Sequence, residues 1–98
     1  MKTYGVLCDT RVVYVGPAAD PRDACVRATK DAGAWGSLGP FKPGPMSPAQ
    51  CESGSWLDLT VYDLGDMPAK PGVDPEDEDV LEAMTEEAFV GEFIARQS

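Results

Sequence analysis

Nine residues, Trp56 to Leu64 (WLDLTVYDL), constrain this chain more than any others. Leu57, Leu59 and Val61 alternate with Asp58, Thr60 and Tyr62, the period of a strand with one buried face and one wet face. Such a strand needs neighbours, and the N-terminus offers two. Thr3 to Cys8 (TYGVLC) and Arg11 to Val15 (RVVYV) are β-branched and aromatic runs separated by Asp9-Thr10, short enough for an antiparallel hairpin. Three strands with a helix on one side are about the minimum for an independently stable sheet.

Asp20-Pro21 reads as the start of that helix: an N-cap carboxylate, proline at the first helical position, and Asp23 near the positive helix end. The helix is expected from Pro21 to about Ala32, with Gly33 as its stop and Ala24, Cys25, Ala28 and Ala32 as a narrow packing face. Gly33 to Ser55 is rich in Gly, Pro and Ser and reads as a long loop ordered by Trp35, Leu38 and Phe41. Within it, Ser47-Pro48-Ala49-Gln50 matches a capping box and predicts a helical turn through Cys51.

Asp74-Pro75-Glu76-Asp77 repeats the cap, proline and acidic first-turn pattern. Val80, Leu81 and Met84 form one apolar stripe, and Phe89, Val90, Phe93 and Ile94 continue one at i, i+1, i+4 and i+5. Thr85 offers a second cap with Met84 and Phe89 as a staple, so one bent helix and two short ones both fit. The expected fold is α+β in a single domain over residues 1–98: a small three-stranded antiparallel sheet (ββα, then β), a packed helix, and an acidic C-terminal helical segment. Its parts are a ββα unit over 1–33, the loop over 34–55, the strand over 56–64, a connector over 65–73 and the acidic segment over 74–96.

Charge and missing residue types narrow the function. The net charge of −9 is unevenly placed: residues 1–57 carry six basic and five acidic side chains, residues 58–98 two and twelve. A surface of that sign repels nucleic acid and anionic membrane over a Debye length of about 8 to 10 Å, and favours a basic partner. Histidine is absent, which removes Ser-His and Cys-His catalysis. Cys8, Cys25 and Cys51 are odd in number and lack a C-x-x-C pair, which argues against disulfides and structural zinc and for reduced thiols. No phosphate-cradling glycine motif occurs, and the acidic run lacks the glycine and ligand spacing of an EF-hand. No enzyme activity, cofactor or metal is expected, and with neither an apolar run of about 18 to 20 residues nor a signal-like N-terminus, a cytoplasmic location is.

What remains is an acidic array: Asp74, Glu76, Asp77, Glu78, Asp79, Glu82, Glu86 and Glu87, with no basic side chain from residue 74 through 95. On one helix, Glu78 and Asp79 lead to Glu82 and then Glu86 as a negative ridge. Together with Asp58, Asp63 and Asp66, this ridge reads as a partner-binding face that imitates a row of phosphates. A solubilising face is the plain alternative. The DPEDEDVLEAMTEE run from Asp74 to Glu87 on a small α+β body resembles the small acidic inhibitors encoded by phages, among them the anti-CRISPR proteins. That resemblance implies blockage of a CRISPR effector, or another basic nucleic-acid-handling protein, in a bacterial host. A second reading is an assembly module that oligomerises through Phe89, Val90, Phe93 and Ile94.

Overall fold

The computed structural model describes residues 2–32 and 40–96. Its elements run β1 (Thr3–Cys8), β2 (Arg11–Pro17), α1 (Pro21–Ala32), β3 (Lys42–Pro43), α2 (Pro48–Ser53), β4 (Trp56–Gly65), α3 (Glu78–Ala83) and β5 (Phe89–Arg96). The hairpin forms as its sequence predicts, from Thr3 opposite Pro17 to Cys8 opposite Arg11. Asp9 takes the left-handed conformation in the reversal (φ 56°), which a short polar side chain tolerates. At α1, Asp20 accepts the Asp23 amide (2.7 Å) while Asp23 accepts the Ala19 amide (2.9 Å), a reciprocal cap that starts the helix at Pro21. The side chain of Ala32, and residues 33–39 with the expected Gly33 stop and the Trp35 and Leu38 anchors, lie outside the described residues.

The sheet corrects the three-stranded expectation. Among the described residues it has five antiparallel strands in the order β2-β1-β4-β5-β3, with three short helices, so the fold is still α+β, and Phe89–Arg96 is not part of a C-terminal helical segment. Phe89–Arg96, expected as helix, is β5, paired to β4 from Trp56 opposite Arg96 to Tyr62 opposite Phe89. The reason is tertiary. β4 has β1 on one side only, and its other edge is satisfied by a strand that sets Phe93 opposite Leu59 and Ala95 opposite Leu57 on the core face. The Gly/Pro-rich segment is likewise not a plain loop. Lys42 and Pro43 pair with Ile94 and Phe93 at the sheet edge, where a proline is tolerated, and Ser47 and Gln50 form the expected capping box at the start of α2.

Two apolar layers flank the sheet. On one face Ala24, Cys25 and Ala28 of α1 reach Tyr4, Val6, Tyr14, Leu59, Val61 and Ala95, and the small helix residues permit that close approach. On the other, the chain between β4 and β5 folds back over the hairpin and seats Val80 of α3 against Val12 and Val15, with Leu7, Leu64, Met67, Val73 and Met84 around it. Backbone bonds from Val12 N–H to Pro75 O (2.9 Å) and from Lys70 N–H to Val15 O (3.0 Å) stitch this cover to the outer edge of β2.

Candidate interaction surface

The cover places most of the acidic residues. Asp74 opens a turn, not a helix: its carbonyl accepts the Asp77 amide (3.0 Å) and its carboxylate the Glu76 amide (2.9 Å). Pro75, expected at the first helical position, instead lends its carbonyl to Val12. The cap is Asp77, whose Oδ1 accepts the Val80 amide at 3.2 Å. α3 therefore holds only Glu78, Asp79 and Glu82 of the expected ridge. The helix stops at Ala83, Thr85 accepts the Ala88 amide (3.3 Å) in a turn and does not cap a second helix, and Glu86 and Glu87 sit in that turn ahead of β5.

Asp66, Asp74, Glu76, Glu78, Asp79, Glu82, Glu86 and Glu87 are exposed, whereas Asp58, Asp63 and Asp77 are half-buried. Two of those three are held in place. Asp63 accepts the Gly65 amide (2.9 Å) and meets Lys2 Nζ at 3.2 Å, which hold its carboxyl below the usual range. Asp77 meets Lys70 Nζ at 3.1 Å, and this bond, with the Val80 amide, lowers its pKa. Neither carboxylate is a free contact for a partner.

Asp58 differs. It lies on the sheet face away from α1, and desolvation, with Glu92 and then Asp9 beside it, pushes its pKa up to about 7. Its Oδ1 is buried and accepts no hydrogen bond. Glu92 escapes a local reading because β5 pairs with β4, and Asp9 because the end of β1, with Cys8 opposite Leu59, sets the β1–β2 turn beside Asp58. With Glu92 two residues from Ile94, the residue opposite Asp58, the alternation of β5 would have revealed it.

The remaining reactive groups are quiet. Burial pushes the Cys25 thiol up to about 12, and burial together with Asp9 and Asp58 pushes Cys8 up to about 11, so both stay protonated. Among the described residues no group of three or more His, Cys, Asp or Glu side chains could hold a metal ion, and no helix is long and apolar enough to cross a membrane. A groove of about 820 Å³ runs between β2 and Ala69–Val73. Its charged rim residues are Asp9, Arg11 and Lys70, the last already paired with Asp77.

Of the large aromatic side chains in and directly after the Gly/Pro-rich segment, Phe41 is buried and Trp56 half-buried, while Trp35 lies outside the described residues. The apolar C-terminal stripe is divided by the sheet. Ile94 is buried and Phe93 packs on the core, leaving Phe89 (44%) and Val90 (41%) exposed. Comparison with protein-family models, curated proteins and solved structures finds no match.

Proposed function

We propose that this chain is a non-catalytic binding protein whose acidic cover docks on a basic surface of another protein. One observation carries the reading: the exposed negative charge is concentrated on the cover, on one face of the sheet. The cover exposes Asp74, Glu76, Glu78, Asp79 and Glu82, and its one lysine, Lys70, is paired with Asp77, while the sequence of α1, on the opposite face, balances Arg22, Arg27 and Lys30 against Asp23 and Asp31. A chain so polarised orients itself in the field of a cationic partner before contact. The short α3 with a turn on either side presents a patch and not a regular row, so a match to phosphate spacing is no part of the reading.

A basic nucleic-acid-binding groove is the kind of partner such a patch suits. A CRISPR effector in the bacterial cytoplasm, occupied in place of DNA, is the specific form of the proposal. The test is affinity capture from a bacterial lysate at low and high salt, with wild type and with the E78K/D79K/E82K variant, read by mass spectrometry. Recovery of effector subunits or another basic nucleic-acid-binding protein, lost at high salt and in the variant, is expected. Equal recovery by the variant would overturn the reading.

A further inference from the structure

On the sheet face away from α1, Asp58, Ile94 and Lys42 form one row across β4, β5 and β3, and Glu92 lies in the next row with Thr60 opposite it on β4 and Gly44 on its outer side. Gly44 donates its amide to Glu92 O at 2.9 Å, and its Cα rests on the Glu92 stem so closely that a Cβ there would lie 3.0 Å from Glu92 Cγ. The two-residue β3 ladder and this bond are the joint between the 42–44 segment and the sheet.

We propose that Asp58 and Glu92 form a proton-dependent latch: a proton shared between the two carboxyls keeps Glu92 tucked under Gly44, and its loss drives the side chains apart and lifts β3 from β5. The inference does not depend on the partner proposed above. With the proton present, one carboxyl donates to the other. Without it, two carboxylates face each other with a buried, unpaired Oδ1, a costly arrangement.

Among the described residues no cation is placed to compensate: Arg96, two residues beyond Ile94 on the same face of β5, is exposed at the strand end opposite Trp56 and is not among the groups that shift Asp58. Asp9 from the β1–β2 turn adds a third negative charge, Cys8 on β1 stays a thiol, and Arg11 lies beyond it at the start of β2. Lys42 on β3 is exposed across Ile94, and Glu52 on α2 is exposed and acidic. Relief must come from movement. Gly44 lies against the Glu92 stem, so an outward swing of Glu92 presses on the 42–44 segment, the shortest ladder in the sheet. Lifting β3 would uncover the β5 edge at Phe93 and Ile94, continuous with exposed Phe89 and Val90.

The sign follows from the raised pKa. The latch is closed at acidic pH and opens as pH rises through about 7. The test is hydrogen exchange by NMR between pH 5.5 and 8.5, comparing Gly44 with Val6 and Val61 in the central strands. In wild type the protection of Gly44, corrected for intrinsic exchange, is expected to fall at least tenfold while Val6 and Val61 stay protected. In Glu92→Gln it is expected to stay constant. Constant protection in wild type, or an equal fall in the variant, would overturn the latch. Side-chain carbon shifts of Asp58 in wild type provide a reading that needs no variant, and titration in the ordinary carboxylate range would overturn it as well.

Discussion

Lys70 and Asp77 meet at 3.1 Å, and the same Asp77 carboxylate caps α3 through the Val80 amide. One side chain thus ties the connector to the helix that seats Val80, a fully buried residue, over the hairpin. Asp77→Ala removes both contacts, and is expected to lower the melting temperature by a few degrees, with Asp77→Asn, which keeps an N-cap acceptor, losing less. Because the Asp77 carboxyl is held below its usual range, its stabilisation is present above the ordinary carboxylate pKa and is lost as pH falls through the lowered one. The difference between wild type and Asp77→Ala in thermal melts should therefore shrink below about pH 4.

Leu59 is the largest fully buried side chain among the described residues and belongs to the core cluster that α1 covers. Truncation leaves a cavity bounded by β-strands that cannot collapse into it freely. Leu59→Ala is expected to cost about 2 to 5 kcal/mol in urea or guanidinium unfolding. A loss below about 1 kcal/mol would mean that β4 is not central.

The three thiols differ in exposure: Cys51 is exposed on α2, Cys8 half-buried and Cys25 buried. Reaction of the folded protein with a disulfide reagent is expected to show one fast thiol, Cys51, and two that react only on the timescale of opening, with all three fast in denaturant. Mass spectrometry of the labelled peptides assigns them.

The Asp58 carboxyl, raised to about 7, also sets a global pH dependence. The folded state holds a proton there that the unfolded chain releases near the ordinary carboxylate pKa, so stability falls between about pH 4 and 7 and then levels. Asp58→Asn removes that loss. It is expected to match wild type near pH 4 and to exceed it above pH 7, by on the order of 1 kcal/mol once solvent screening of this half-buried group is allowed for. Denaturation curves at the two pH values check both arms.

The elements read correctly from sequence are those whose signal is local. Asp20-Pro21-Arg22-Asp23 caps its own helix, Ser47 and Gln50 cap each other, and Leu57, Leu59 and Val61 carry a period that only a strand satisfies. The misread elements share a different feature: their local signal is ambiguous. Asp-Pro opens a helix or occupies the first two positions of a turn equally well, and at Asp74 the hydrogen bond from Val12 to Pro75 decides for the turn. Phe89, Val90, Phe93 and Ile94 fit a helical face, yet Gly91, Phe93 and Ala95 also fit a strand, and the open edge of β4 decides for the strand. The same pairing brings Glu92 to Asp58, a relationship between residues 34 positions apart that no local pattern encodes.

By itself, then, the sequence determined the hairpin, the first two capped helices, the alternating strand and the acidity of the C-terminal portion, because capping, periodicity and charge act over a few residues. Only the tertiary structure decided that the acidic stretch is a cover over the hairpin, that the last apolar run completes the sheet, and which carboxylates are paired, exposed or set beside one another. Those outcomes depend on backbone groups finding partners across the sheet, and on the removal of water from side chains that distant parts of the chain enclose.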